Sequence, residues 1–362
     1  MGFPNRVFFP ILFLLCSIFS IQSSAQTLGF RCTANATCNS LIDYKLPNTT
    51  TVSSILKLFD IKNLRSLLAA NNLPITTPQN YPLSASQILK IPFPCSCFNG
   101  SGISNRRPNY TVVPADGLYH IAAEVFSGLV TFPQIQVINN IPDQNNISIG
   151  QKLWIPLPCS CDEVNGEKVV HYGHLVAAGD SVSGYAEQFN TTESELLSLN
   201  RMINSADLKA DSIFDVPLKV CTSMVQNNSM DYPLLVPNGT YTFTANNCVR
   251  CQCNAANNWI LECEPAGINL TRGQTCPSMQ CSGTPNLALG NTTSNSSCAL
   301  TRCAYAGYRN RAVFTTLTQE STCPEGNNNS PSGNNSPSGN GSSGLRSSFI
   351  LGVLLIAFHL FW

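Results

Sequence analysis

Two carboxylates, Glu262 and Glu264, stand two residues apart in "WILECEP", with Trp259 at the head of the stretch. Paired carboxylates beside an aromatic are the raw material of glycoside hydrolysis, which needs one acid kept protonated by an apolar setting and one ionised partner. No larger cleft-forming domain surrounds them, so both are expected as solvated charges in a loop. His171 and His174 could begin a zinc site, but no third ligand stands nearby, and both are expected at the surface or on a strand edge. "CVRCQC", with Cys248, Cys251 and Cys253, is either half a zinc site or a set of disulfide partners, and secretion favours disulfides. No G-x-S-x-G, H-E-x-x-H or phosphate-loop motif occurs. The residue types point to a binder, with no catalysis, no metal and no cofactor expected.

The ends of the chain place it outside the cell. Arg6, the apolar run Val7 to Ile21 and the small residues Ser23, Ser24 and Ala25 form a signal-peptide pattern spanning residues 1–25. A first transmembrane helix is the alternative, but the run is short. At the other end, "FILGVLLIAFHLFW" from Phe349 would span about 21 Å as a helix, short of a ~30 Å hydrocarbon core. Small residues and a polar spacer precede it, the pattern of a GPI signal, with attachment expected at Asn340 or Ser338 and residues 341–362 removed. A short membrane anchor is the alternative. Charged residues are 11% and the net charge is zero, so no nucleic acid partner is expected. Sequons stand at Asn35, Asn48, Asn99, Asn109, Asn146, Asn190, Asn227, Asn238, Asn269, Asn291 and Asn295, and glycans there would supply the solubility that charge does not. Of 17 cysteines, Cys16 leaves with the signal, and the even remainder argues for complete disulfide pairing.

Residues 91–97 read "IPFPCSC" and residues 155–161 read "IPLPCSC". Similar segments precede each: "YKLPNTTTVSSILKLF" from Tyr44 and "YTVVPADGLYHIAAEVF" from Tyr110. A third copy, "HLVAAGDSVSGYAEQF", runs from His174. Three self-similar units mean a repeat architecture. Thr111, Val112 and Val113 read as a strand broken by a turn at 114–117. Leu118, Ile121, Ala122 and Val125 follow helical period, and a second helix carries Ile135 and Ile138 and stops at Asn139. Thr192 and Glu195 have capping-box spacing. "KLWIP" closes the unit as a strand, giving the order β-α-α-β. An extended C-x-C is expected to send its thiols to opposite faces, so each motif bonds two different places. With Cys32 and Cys38, six thiols can staple the units together, the pairing itself left open by spacing. Nine cysteines from Cys248 to Cys323, with Cys221, predict a small disulfide-held domain over 225–325. A polar stalk rich in Asn, Ser, Gly and Pro follows at 326–340.

"AAGDSVSGYA", an Asn after helix two and a closing "IP" strand resemble the LysM module. Three such units, separated by C-x-C pairs behind a signal peptide, resemble plant LysM receptor ectodomains. The GPI-type tail and "FTANNCVRCQC" resemble the branch without a kinase, the chitin elicitor-binding proteins. The resemblance implies an α+β fold of three tandem LysM modules, at 26–97, 108–161 and 170–221, clamped by disulfides and followed by the Cys-rich domain. It implies the bonds Cys32–Cys97, Cys38–Cys161 and Cys95–Cys159. It implies a chitin groove in the second module between two loops, Val113, Pro114, Ala115, Asp116, Gly117, Leu118 and Tyr119 on one side and Asp143, Gln144, Asn145, Asn146, Ile147, Ser148 and Ile149 on the other. Backbone groups there would pair an acetamide, and Ile147 would supply the apolar floor, unless it is a core residue and Ile149 points inward. The first copy lacks the Gly-Asp turn and the third has Tyr185 where an aliphatic is usual, which weakens both as sugar binders. The function implied is a receptor for chitin oligomers on the outer face of the plasma membrane, held by a GPI lipid. Its implied partners are a LysM receptor kinase or a second copy bridged by the ligand. A peptidoglycan receptor and a structural wall glycoprotein remain as alternatives.

Overall fold

The computed structural model describes residues 28–268, 275–284, 286–296 and 299–321. The segments expected as signal peptide and stalk, the expected attachment positions Ser338 and Asn340, and Asn269 lie outside the described residues.

After β1 (Phe30–Arg31), the first unit opens on β2 (Thr37–Lys45), well ahead of the Tyr44 where self-similarity becomes visible. It continues through β3 (Thr50–Thr51), α1 (Val52–Leu58), α2 (Leu64–Ala70), β4 (Pro82–Leu83) and β5 (Ile88–Phe98). After β6 (Ser101–Ser104), the second unit holds β7 (Asn109–Thr111), α3 (Leu118–His120), α4 (Phe132–Ile138) and β8 (Lys152–Trp154). Its first helix widens into a π turn over Ile121–Val125. The third unit holds β9 (Val169–Leu175), α5 (Val182–Phe189), α6 (Glu193–Leu199) and β10 (Ile213–Lys219). Short helices like these need their ends satisfied, because few of their amides have partners within the helix. Thr51, Ser181 and Thr192 each cap with a side-chain oxygen, and Thr192 and Glu195 form a capping box.

One side chain repeats the same work in every unit. Asn139 Nδ2 donates to the carbonyls of Ile135 and Trp154, both at 2.8 Å, while its Oδ1 accepts from Trp154 N at 2.9 Å. Asn71 makes the same three bonds to Leu67 and Lys90, and Asn200 to Leu196 and Asp215. The Asn after helix two is therefore a bracket that ties the second helix to the closing strand, and Asn alone offers a donor and an acceptor at that reach.

The strands of the first and third units join one six-stranded sheet in the order β1-β6-β5-β2-β9-β10. β2 runs antiparallel to β5 but parallel to β9, through Leu41 opposite Tyr172 and Ile42 opposite Gly173. Gly173 is required there: a Cβ would meet Ile213 Cγ2 at 2.9 Å and Ile42 Cγ1 at 3.0 Å. β7 and β8 pair only with each other. The second unit instead shares its core with the first. Ile42, Tyr44, Phe59 and Leu83 pack into the same cluster as Leu118, Ile121, Phe126, Ile135 and Leu153. Tyr44, Phe59, Phe126 and Tyr110 form a chain of edge-to-face rings with centroids 4.8 to 5.8 Å apart. The third unit has a separate core of Val182, Tyr185, Leu196, Phe214 and Val216, into which Leu41 and Ala70 of the first unit also pack.

Disulfides join Cys32 to Cys97, Cys38 to Cys161 and Cys95 to Cys159, with Cα atoms 5.5 to 6.0 Å apart. The last two cross from the first unit to the end of the second. The reason expected for this arrangement needs correction. Cys95 and Cys97 do not face opposite ways: β5 alternates with period two, and both are buried on one face. Side chains two apart on one face of a strand run parallel with their Cβ atoms about 6.6 Å apart, well beyond the roughly 4 Å that a disulfide requires, so each thiol must find its own distant partner.

The rest of the described chain forms two three-stranded sheets. The first contains β11 (Tyr241–Thr244), β12 (Val249–Cys253) and β13 (Leu261–Pro265); the second contains β14 (Thr292–Ser296), β15 (Ala299–Arg309) and β16 (Ala312–Ser321). Bonds Cys248–Cys276, Cys251–Cys263 and Cys281–Cys303 hold them, and Cys221–Cys253 ties them to the end of the third unit. The "CVRCQC" thiols are thus all in disulfides. Tyr241 Oη donates to the Leu73 carbonyl at 2.6 Å, which seats this region on the first unit.

Candidate functional site

The two loops singled out in the second unit are brought side by side by backbone pairing. Val112 N donates to Gln151 O at 2.9 Å and Gly150 N donates to Val112 O at 2.8 Å, which extends the β7–β8 ladder to the foot of both loops. Leu46 pairs in the same way with Ser86 and Gln87, and Val176 with Asp211 and Ser212. At this point Ser86, Gly150 and Asp211 all have positive φ, marking one equivalent turn position in three units.

The first loop is braced from inside. The Asp116 carboxylate accepts from Val113 N at 2.7 Å and from Tyr110 Oη at 2.9 Å, and lies 2.9 Å from His120 Nδ1. Burial first, and then the Asp116 hydrogen bond, push the Tyr110 phenol up to about 12. The Asp116 side chain is 1% exposed, so it shapes the loop and does not face a ligand. Leu118 is core as well. Ala115 adopts a positive φ of 71° at the tip. In the second loop Asp143 Oδ1 accepts from Asn145 N, Asp143 O accepts from Asn146 N, and Gln151 Oε1 accepts from Ser148 N.

The pair of loops presents three large apolar side chains outward. Val113, Tyr119 and Ile149 are 48, 68 and 70% exposed. Pro114, Ala115, Asp143, Gln144, Asn145, Asn146 and Ser148 are exposed around them, and Gly117 is half-buried. Ile147 is half-buried and packs on the shared core, so the inward residue of the pair is Ile147 and Ile149 points out. Counting from the positive-φ turn and from the helix N-cap, the first unit has Pro47, Ser53 and Ala85 at the three exposed apolar positions. The third has Ala177, Ser183 and Ala210. The N-caps differ too: Gly117 has no side chain to cap α3, where Thr51 and Ser181 accept from Ser54 N and Gly184 N. A groove of about 1400 Å³ adjoins this site, running between Val113 and His120 on one wall and Tyr44, Thr50 and Lys57 on the other. Asn48 and Asn109, both in sequons, line it.

The other candidates fall elsewhere. Glu262 and Glu264 are not loop charges: both lie on β13, Glu262 paired with Arg302 at 3.4 Å and Glu264 with Arg250 at 3.5 Å. His171 is not a surface residue either. It is buried, with Nδ1 2.9 and 3.0 Å from the Asp215 carboxylate oxygens and Nε2 2.9 Å from the Asp162 carbonyl. His174 Nδ1 lies 2.7 Å from the buried carboxylate of Asp43, which also accepts from Leu175 N and Tyr172 Oη. Asp43 and Asp215 escaped notice as single charges inside apolar strands, "SLIDYK" and "IFDVP", which is the signal that marks a buried pair. Sequon residues Asn35, Asn48, Asn99, Asn109, Asn146, Asn190, Asn227, Asn238 and Asn291 are exposed, and Asn295 lies on β14.

Residues 110–156 and 174–217 match the model of the LysM domain. The chain is 47% identical over 323 residues to "LysM domain-containing GPI-anchored protein 2" of Arabidopsis thaliana, covering 88% of this chain and 89% of that one. It is 41% identical over 302 residues to "Chitin elicitor-binding protein" of Oryza sativa subsp. japonica, covering 82% of each. Against "LysM domain-containing GPI-anchored protein 3" of Arabidopsis thaliana the identity is 35% over 330 residues, 89% of this chain and 76% of that one.

Proposed function

The chain belongs to the LysM domain-containing GPI-anchored proteins, and from that premise we propose that it is a cell-surface receptor binding chitin oligosaccharides through its second unit. All three units are read as LysM modules, since the first carries the same Asn bracket and the same loop pairing as the two that match the family model. The protein sits on the outer face of the plasma membrane through a GPI lipid, as the names of its relatives imply for them.

The observation that carries the ligand reading is the apolar trio Val113, Tyr119 and Ile149, exposed between paired loops in the second module and replaced by small residues, proline or serine in the other two. An N-acetylated sugar offers a methyl group and sugar C–H faces to such a surface, and an acetamide to the loop backbone beside it. Binding is the whole task, because a lipid anchor reaches only one leaflet. A LysM receptor kinase, or a second copy bridged by one long chitin chain, carries the signal inward. Repeated epitopes on one polymer raise the effective concentration of the second contact, so a weak single site suffices. The name of the rice relative supports chitin over peptidoglycan.

The test is a pull-down on insoluble chitin and on peptidoglycan, competed by soluble oligomers, for the wild type and for Tyr119→Ala, Ile149→Ser and Ile147→Ser. Tyr119→Ala and Ile149→Ser are each expected to lose about 1–2 kcal/mol of chitin affinity, the value of one apolar contact. Ile147→Ser is expected to lower thermal stability and to weaken binding only through the loop it supports. Retention on peptidoglycan alone, or unchanged chitin binding by both exposed-site variants, overturns the reading.

A further inference from the structure

We propose that His171 is a protonation-dependent lock that holds the third module against the disulfide-clamped pair, engaged at neutral and acidic pH and released as the pH rises. Both ring nitrogens face acceptors. The Asp162 carbonyl opposite Nε2 can only accept, and both Asp215 carboxylate oxygens are turned to Nδ1 at 2.9 and 3.0 Å. The ring therefore carries both protons, and the arrangement is that of an imidazolium. A neutral ring would leave one of these buried contacts as lone pair against lone pair, which burial makes costly.

The contact crosses a joint. Asp162 directly follows the second C-x-C, and its carboxylate accepts from Thr33 N, Ala34 N and Thr33 Oγ1 at 2.8 to 3.0 Å. His171 thus links β9 and β10 of the third module, through Asp162, to the backbone beside Cys32. The ladder across this joint comprises Leu41–Tyr172 and Ile42–Gly173. None of the disulfides among the described residues joins the third module to the clamped pair.

The charged groups facing His171 are Asp215 from β10 and Asp162 from the linker. His174 is occupied elsewhere, with Asp43 and Tyr172. Burial opposes the charge on His171 and is the largest single influence. The attraction and hydrogen bond of Asp215, with those of Asp162, together outweigh it and raise the imidazole above its usual range. The sign follows from linkage. A raised folded value means a stabilisation fully present below the unfolded value of about 6.5 and lost as pH climbs through the folded one.

The experiment is hydrogen exchange by mass spectrometry on the full secreted chain from about pH 6 to about pH 9, corrected for intrinsic exchange. In the wild type, protection of β9 and β10 is expected to fall about tenfold or more across that range, while β7 and β8 hold. His171→Gln should show low protection without the slope, and His174→Gln should keep the slope. Flat wild-type protection, or a slope that survives in His171→Gln, overturns the lock. Should His171→Gln fail to be secreted, an NMR titration of wild-type His171 decides: a midpoint above that of an ordinary imidazole supports it, and one at or below it overturns it.

Discussion

Between the first and second modules the contact is a continuous apolar core, from Tyr44 and Phe59 on one side to Phe126 and Tyr110 on the other, crossed by Cys38–Cys161 and Cys95–Cys159. Between the first and third modules it is a short parallel ladder, with only Leu41 and Ala70 of the first packed into the third core among the described residues. The buried His171–Asp215 pair and the half-buried His174 on Asp43 flank it. Apolar burial is non-directional and indifferent to pH near neutrality. Hydrogen-bonded charges demand one geometry and one protonation state. The first joint makes two small modules into one stable body; the second fixes where a third body sits.

The largest effect should come from the covalent joint. Cys95→Ala with Cys159→Ala opens a bond closing 64 residues, worth about 4 kcal/mol by loop closure. Thermal unfolding should show the first two modules losing stability together, with secretion reduced. Separate transitions for the two would break the single-body picture. Next, Asp43→Ala strips the acceptor from Tyr172, His174 and Leu175 N. Buried donors left unpaired should cost about 3 kcal/mol, with exchange rising in β9 while the second module stays protected. Loss of protection in β7 and β8 instead would mean the joints are not independent.

Acid and base should act on opposite sides of Asp162. Burial alone would raise its carboxyl, but the hydrogen bonds from Ala34 and Thr33, with His171 nearby, outweigh this and lower it. Its stabilisation is therefore present above the ordinary aspartate range and lost as pH falls through the lower folded value. Asp162→Asn should flatten the acid side of a stability-against-pH curve and leave His171 to govern the alkaline side. An unchanged acid limb would remove Asp162 from the clamp. The smallest effect belongs to Gly117→Ser, whose new Cβ meets nothing within 4 Å and whose backbone already has N-cap geometry. A capping hydroxyl should stabilise the second module by about 0.5–1 kcal/mol. It should also weaken chitin binding by occupying an amide that the other two modules already cap. Tighter binding in a calorimetric titration would exclude that amide from the site.

The local layer of this architecture was legible in the chain. The repeated cadence, the helix starts at Thr192 and the stop at Asn139 are written within a few residues of where they act. The pairings across modules were not. Asp43 meets Tyr172 and His174 over more than a hundred residues, and no local pattern says which buried charge answers which. The same limit applied to Ile147 and Ile149, where alternation allowed either to face inward. Only the pairing of Gly150 with Val112 settles which way the loop turns. Glu262 and Glu264 read as loop because the strand holding them depends on disulfides and on Arg302 and Arg250 supplied by other strands.

The β2–β5 register carries a consequence for how the chain is made. Cys38 and Cys95 stand directly opposite each other in that ladder, and the Cys161 sulfur lies within 4.8 Å of both of theirs. A secreted chain enters the lumen N-terminus first, so this hairpin can form while Cys159 and Cys161 are still inside the translocating machinery. Until they arrive, and with Cys32 and Cys97 paired to each other, the two facing thiols have only each other. We expect a Cys38–Cys95 bond to form at that stage, detectable by non-reducing peptide mapping of chains truncated before Cys159; free thiols at both positions would refute it. Such a bond must then be reopened by attack of an incoming thiolate on one of its sulfurs. The speed of that exchange, more than the stability of the finished fold, would set how much receptor reaches the cell surface.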